Sequence, residues 1–337
     1  MPVYFPKPLN YLLKPLLHTR PQAVRLDVYH TCGTPDRVSL KGRALEKKST
    51  DQPLEIADSW WMNIRRTWNA IESDEIPDLE LRLTFQNHHY AVTTDDEGLF
   101  DVPLDLETPL KPGVYEVRVE LVRQGLFFGE AGVGKVFIYP TQTVSCGVIS
   151  DIDDTILETD VTRKRTMLKK LAFGNALTAT DVPGMANVYA KLSELGYGFH
   201  YLSGSPINLH QRLRAFLKHR GFPEGSMDLR HWGIGPGTDA IFSSTTYKLQ
   251  RLQTLFQRYP ERQFILIGDS GEKDPEIYST IYKTFSHQIR LMAIHNVTGD
   301  KPNQPRYKHM LLFEHPEEIL ERLQQTQEMA KKRSFRI

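Results

Sequence analysis

Apolar positions along the chain follow two different periods. From about Val24 to Pro140 the period is two. Val24, Leu26 and Val28 alternate with Arg25, Asp27 and Tyr29, and Leu79, Leu81, Leu83 and Phe85 alternate with charged or hydroxyl residues. Tyr115, Val117, Val119 and Leu121 repeat the pattern. Such alternation predicts half-buried antiparallel strands with one face on a core and one in water. Thr94 to Gly98 and Pro112-Gly113 predict turns.

Beyond Cys146 the texture changes. Gly147 to Ser150, Phe199 to Leu202, Phe264 to Ile267 and Ile289 to Ile294 are short apolar runs that read as strands. Between them stand helical spacings. Met185, Val188, Tyr189, Leu192 and Leu195 form one, closed by Gly196, and Leu209, Leu213, Phe216 and Leu217 form a second. Leu249, Leu252, Phe256 and Tyr259 mark a third, stopped by Pro260. Ile277, Tyr278, Ile281 and Phe285 mark a fourth, opened by Asp274 as cap and Pro275 in the first turn, and a last helix is expected from Glu317 to about Lys331. Strands alternating with helices predict a parallel sheet covered on both faces.

The expected fold class is therefore α/β, with an antiparallel β-sandwich of immunoglobulin or transthyretin type preceding a three-layer α/β domain. The expected organisation is an N-terminal arm over 1–21, a β-sandwich over 22–143 and an α/β domain over 144–337. The arm carries Lys7, Lys14 and Arg20, no acid, and leucines at helical spacing interrupted by Pro15. It is expected to pack on the body, the alternative being a weak membrane-surface anchor. Trp60, Trp61 and Trp68 are expected to be buried, the alternative being a binding surface. Gly129-Glu-Ala-Gly-Val-Gly134-Lys135 has the spacing of a phosphate-binding loop, but Val136 stands where Ser or Thr is needed and a strand-like run follows where a helix is needed.

Composition narrows the function. The 337 residues carry 42 Lys plus Arg against 41 Asp plus Glu, a formal net charge of +1. A dedicated nucleic-acid binder would show a basic surplus. No apolar run approaches the roughly 18 residues of a membrane span. The 2 cysteines, Cys32 and Cys146, cannot build a disulfide scaffold, and reduced thiols in a cytoplasmic protein are expected.

Candidate chemistry gathers where the predicted parallel strands end, which is where sites form in such sheets. Asp151 follows the first strand and Asp153 stands two residues on, so in an extended stretch both carboxylates point the same way. Together they can hold a hard cation such as Mg²⁺, or divide the work of nucleophile and proton carrier. The next strand ends in Ser203-Gly204-Ser205, whose hydroxyl can donate to a phosphate oxygen. The third ends in Gly268-Asp269, followed by Asp274, which adds a metal-binding carboxylate. Between them Lys248 opens a helix, where a buried ammonium can neutralise phosphate charge.

This order of signals resembles the haloacid-dehalogenase superfamily of phosphotransferases. Within it, Ser150 to Ile156, Tyr201 to Pro206 and Gly268 to Tyr278 are similar to the catalytic domain of the actin-patch-protein phosphatidate phosphatases. The resemblance spans about residues 145 to 300. It implies that Asp151 attacks phosphorus to form an aspartyl-phosphate. Asp153 would protonate the leaving alkoxide and then deprotonate water. It further implies that Mg²⁺ is held by the Asp151 carboxylate, the Asp153 carbonyl and Asp269, with Asp274 orienting a water behind them. Ser203 and Lys248 would hold the phosphoryl oxygens, and Thr155 would brace the loop. Thr155, Gly204 and Ser205 are expected to line the substrate side. The family's strand after Gly268-Asp269 is expected to read Tyr-Ile-Arg, whereas this chain has Leu291-Met-Ala-Ile-His295. His295 or Arg290 would have to substitute for that arginine.

Residues 161–170 hold Arg163, Lys164, Arg165, Lys169 and Lys170 and no acid, followed by Leu171-Ala-Phe173-Gly174. Basic residues interleaved with apolar ones suit an anionic membrane surface, at about 1 kcal/mol for each nearby Lys or Arg. Arg163, Lys164 and Arg165 are therefore candidates for substrate recruitment, the alternative being a solvated loop that offsets the acids before it. The expectation is a Mg²⁺-dependent phosphatase of phosphatidate, cytoplasmic and in peripheral contact with membranes, with no nucleic-acid partner. The alternatives are a phosphatase of another small phosphate ester and a non-catalytic scaffold with a partner-binding β-domain.

Overall fold

The structure, a computed structural model, describes residues 22–47, 75–122, 127–141, 145–157, 180–231 and 243–334. The N-terminal arm, the three tryptophans and the basic insert of Arg163, Lys164 and Arg165 lie outside the described residues.

The first half is a pair of sheets. A four-stranded sheet contains β1 (Gln22–Val28), β3 (Arg37–Glu46), β6 (Leu99–Asp105) and β8 (Phe127–Gly129) in the order β6-β3-β1-β8. A five-stranded sheet contains β2 (Thr31–Gly33), β4 (Glu80–Phe85), β5 (His88–Thr93), β7 (Gly113–Leu121) and β9 (Gly132–Ile138) in the order β2-β9-β7-β4-β5. Pairing is antiparallel except for β1 with β8 and β2 with β9. The alternating apolar side chains Val24, Leu26, Val28, Leu81, Leu83, Val117 and Val119 meet in one core. The phosphate-loop decoy is extended chain running from β8 into β9, with no helix after it. Gly113, expected in a turn, already starts β7, because its strand pairs through to Ile138.

The second half is a six-stranded, wholly parallel sheet. Its strands are β10 (Ser145–Ser150), β11 (Gly198–Pro206), β12 (Gly225–Arg230), β13 (Arg262–Asp269), β14 (Ile289–His295) and β15 (Leu311–Phe313). Their order is β12-β11-β10-β13-β14-β15. The helices are α1 (Met185–Glu194), α2 (His210–His219), α3 (Ser244–Arg258), α4 (Asp274–Phe285) and α5 (Glu317–Ser334). Val148, Ile265 and Ile267 pack on one face with α1, α2 and α5. Ile149, Phe264 and Leu266 pack on the other with α3 and α4. Successive strand residues thus bury on opposite faces, which is why β10, β13 and β14 carry unbroken apolar runs at their middles. The chain builds outward from β10 to β12, then crosses back to β13 and builds the other way. That reversal opens a crevice at the carboxyl ends of β10 and β13. The strand β12 is too polar, and β15 with three residues too short, to be announced by the sequence.

The two halves are joined by specific contacts. The Met227 amide of β12 donates to the His30 carbonyl at 3.0 Å, and Tyr259 Oη donates to Gly33 O at 2.9 Å. The Arg262 guanidinium lies 3.7 Å from the Tyr139 ring centre and is 1% exposed. Any side chain at Gly198 would collide with Tyr139, so that glycine is what lets the ring reach the sheet.

Candidate active site

Asp151 is the first residue past β10, and its amide donates to Ile267 O at 2.9 Å, extending the β10–β13 ladder by one rung. The chain then leaves the sheet. Ile152 and Ile156 anchor the turn in the core, and Asp154 takes a left-handed conformation with φ 57°. His295, at the end of β14, donates from Nδ1 to the Asp154 carbonyl at 2.9 Å. It is therefore at the site, as a brace for this turn. Arg290, at the other end of the same strand, lies with Nη1 3.3 Å from Cys146 Sγ and takes no part.

Asp153 faces the end of β11. Its Oδ2 accepts from Ser203 Oγ at 2.7 Å and from Ser205 Oγ at 3.0 Å, and the Ser205 amide donates to Ser203 Oγ at 2.9 Å. The Ser203 hydroxyl, expected on a phosphoryl oxygen, is engaged with Asp153 in this structure. Burial pushes the Asp153 carboxyl up to about 6, with the nearby Glu272 charge adding to it and the serine bonds opposing it.

Lys248 lies in the second turn of α3 rather than at its start. Its Nζ is 2.7 Å from Asp151 Oδ1, 2.9 Å from Asp274 Oδ1 and 3.0 Å from Glu272 Oε2. Burial works against its charge, but Asp151, Asp274 and Glu272 outweigh burial and hold the ammonium well above its usual range. Thr155 Oγ1 stands 3.5 Å from Asp151 Oδ2.

Asp274 departs from expectation. It begins α4, but Lys273 occupies the cap position and no side chain caps the helix. The Asp274 carboxylate instead turns inward, with Oδ2 accepting from the Asp269 amide at 3.3 Å. A side chain at Gly268 would strike that carboxylate, so the glycine is what admits it. At the end of β13, Asp269 Oδ1 accepts from the amides of Gly271 at 2.7 Å and Glu272 at 2.9 Å.

Asp151, Asp269 and Asp274 each offer an oxygen within 4.8 Å of the others, and all three are buried. Among the described residues, Asp269 Oδ2 is buried with no hydrogen-bond partner, as is Asp153 Oδ1. Burial lifts the Asp151 and Asp274 carboxyls and pushes Asp269 up to about 8. Lys248 is the cation that the carboxylates of Asp151, Asp274 and Glu272 share, too little charge for the acids gathered here. Such a donor set fits a hard divalent cation, which would hold the carboxylates ionised. The Asp153 side chain is outside this trio and belongs to the serines.

Gly204 separates the two serines, and its Cα packs so close to Ser244 of α3 that a side chain would collide there. Of the expected site residues, Asp151, Asp153, Thr155, Ser203, Gly204, Ser205, Lys248, Asp269 and Asp274 fall in one place. Glu272 and Arg306 escape a reading of the sequence. Glu272 sits inside one of the stretches that carry the resemblance, but an exposed acid has no signal of its own. Arg306 donates to the Ser270 and Glu272 carbonyls from beyond that stretch.

Residues 146–296 match the family model described as "Phosphatidate phosphatase APP1, catalytic domain". The second domain resembles that catalytic domain. The APP1-like part is 30% identical over 197 residues to phosphatidate phosphatase APP1 of Saccharomyces cerevisiae, covering 57% of this chain and 33% of that protein. An uncharacterized protein of Schizosaccharomyces pombe is 29% identical over 154 residues, covering 45% of this chain and 25% of its own length. The chain thus spans a third or less of the curated relatives it matches. A solved D,D-heptose 1,7-bisphosphate phosphatase from B. bronchiseptica, complexed with magnesium and phosphate, is 11% identical with a TM-score of 0.38, over 54% of this chain and 99% of that one.

Proposed function

We propose that this protein is a Mg²⁺-dependent phosphatase that hydrolyses a phosphate monoester through an aspartyl-phosphate, and that the ester is phosphatidate. The observation that carries the reading is the division of labour between two neighbouring carboxyls. Asp151 is paired to Lys248 and kept from the serines, whereas Asp153 is held by two hydroxyls. Burial lifts the Asp151 carboxyl and Lys248 opposes that lift, so that with the cation bound Asp151 would stand as the anion that attacks phosphorus. Asp153, lifted to about 6, can give its proton to the leaving alkoxide near neutral pH and then take one from the water that opens the aspartyl-phosphate. Ser203 and Ser205 hold that carboxyl toward its partner, and Thr155 steadies Asp151. Asp151, Asp269 and Asp274 would hold Mg²⁺, which supplies charge neutralisation for the phosphoryl group when bound.

The substrate assignment follows the APP1 likeness, and the product would be diacylglycerol. Arg163, Lys164 and Arg165 are proposed to recruit the anionic lipid from a cytoplasmic protein in peripheral contact with the membrane. No helix among the described residues is long and apolar enough to cross a membrane.

The test is phosphate release from phosphatidate in mixed micelles, beside a small aryl phosphate, with Mg²⁺ or a chelator. Phosphatidate is expected to turn over preferentially and to need Mg²⁺. The Asp151→Asn variant is expected to be slower by at least about a thousandfold. Turnover of the aryl phosphate alone would keep the nucleophile and remove the lipid. No turnover of either would favour a scaffold.

A further inference from the structure

The chain between β14 and β15 gives no carboxylate to the site, yet it holds the turn that presents Asp269. Ser270 is tied to it at three points. Its amide donates to His295 O at 2.9 Å, and its Oγ accepts from the Thr298 amide at 3.1 Å and pairs with Thr298 Oγ1 at 2.8 Å. Arg306 supplies the rest. Its Nη1 donates to Ser270 O at 3.3 Å and its Nη2 to Glu272 O at 3.1 Å. The same guanidinium is 3.1 Å from Glu276 Oε1 through Nε and 3.6 Å from Asp300 through Nη1. Tyr307, hydrogen-bonded to Asp300, lies under it, with the guanidinium carbon 5.2 Å from the ring centre.

The turn matters because of what its amides do. Gly271 and Glu272 donate to Asp269 Oδ1, which leaves Oδ2 as the oxygen without a partner among the described residues. Arg306 grips the Ser270 carbonyl, which shares its peptide unit with the Gly271 amide, and the carbonyl of Glu272, the residue that bears the second amide. A planar guanidinium can span two carbonyls and a carboxylate at once, which an ammonium cannot.

We propose that Arg306 is a positioning residue for the cation site: by fixing the Ser270 and Glu272 carbonyls it sets the turn whose amides orient Asp269 toward the cation. The inference rests on the cation reading of the site given above. Arg306 lies ten residues past the stretch that matches the family model.

The experiment is Mn²⁺ binding to the full chain by electron paramagnetic resonance, with thermal unfolding and Mg²⁺ activation curves alongside. The proteins are wild type, Arg306→Gln, Arg306→Lys and Glu276→Gln. Arg306→Gln is expected to weaken Mn²⁺ binding about tenfold and to raise the Mg²⁺ needed for half-activation equally, with turnover at saturating cation kept within about twofold. Arg306→Lys is expected to recover only part of the affinity. Glu276→Gln, which loosens the guanidinium from outside the site, is expected to shift affinity the same way by about two- to threefold. It carries the test if Arg306→Gln does not fold. Unchanged Mn²⁺ affinity in Arg306→Gln, or in Glu276→Gln where only that folds, would overturn the assignment and leave the cation site standing. A wild type that binds no Mn²⁺ would overturn the cation reading and this inference with it.

Discussion

The two sheets of β4 and β13 bury their strands differently, and the difference tells where chemistry can be. In β4, Leu81, Leu83 and Phe85 are buried, whereas Glu80 and Arg82, which alternate with them, are exposed. Water satisfies every second residue, so a charge there needs no explanation. In β13, seven of eight residues are buried, because helices cover both faces. There the buried acid comes at the last position, Asp269, where the strand leaves its cover. A polar residue on the exposed face of a sandwich strand is a solvation statement, whereas a buried acid at the carboxyl end of a parallel strand is a candidate functional group. Ion pairs differ in the same way. Arg37 and Asp105 are hydrogen-bonded on the sandwich surface with side chains 70% and 76% exposed. Lys248 and Asp151 are 3% and 2% exposed and share their charge with Asp274 and Glu272.

Breaking the buried pair should have the largest effect. Lys248→Met leaves Asp151, Asp274 and Glu272 without a shared cation, and is expected to lower phosphatase turnover at least about a hundredfold. It should also lower stability by up to about 3 kcal/mol, measured by urea unfolding. Next comes the seam between the halves. Tyr139→Ala removes the ring over Arg262 and is expected to cost about 3 kcal/mol in the same assay, leaving a buried guanidinium uncovered. A loss below about 0.5 kcal/mol would mean the halves are joined elsewhere.

A third prediction concerns pH. Burial lifts the Asp269 carboxyl from 3.8 to about 8, so the folded protein holds a proton that the unfolded chain has released. Stability contributed by that proton is present at low pH and lost as pH rises through about 8. His30 and His210 act oppositely, since burial lowers each to about 3 and their contribution is lost as pH falls below 6.5. The clean window is therefore about pH 7.5 to 8.5, where those histidines are largely neutral in the folded and the unfolded chain alike. Without divalent cation, wild type should lose stability across it and Asp269→Asn should lose less, since Asp151 and Asp274 are lifted as well, and Mg²⁺ should abolish the loss in wild type. Thermal melts at the two pH values check this. The smallest effect is expected on the surface, where Arg37→Gln should leave the melting temperature unchanged.

Much of the fold and of the site is legible in the sequence, and the misses share a cause. The period-two runs of the sandwich and the apolar runs of β10, β11, β13 and β14 can be read from their own residues. The strand β12, Gly225-Ser-Met-Asp-Leu-Arg230, is too polar and β15 too short to announce themselves. Both are strands because neighbours β11 and β14 offer them hydrogen bonds. Asp274 before Pro275 reads as a helix cap by every local rule, yet its carboxylate serves Lys248 and Asp269. Local competition for the cap was decided by a buried ammonium that sequence places 26 residues away.

The two textures of the chain, the parallel strands and the carboxylates at their ends are written in the residue order alone, because they depend on period and neighbouring residues. Only the tertiary structure decided which partner each group takes: Ser203 with Asp153, Lys248 with Asp151, His295 with Asp154, Arg306 with the turn after Asp269. Those pairings are set where strands and loops distant in sequence converge in a space closed to water. There a buried polar group must find whichever partner the packing brings within reach.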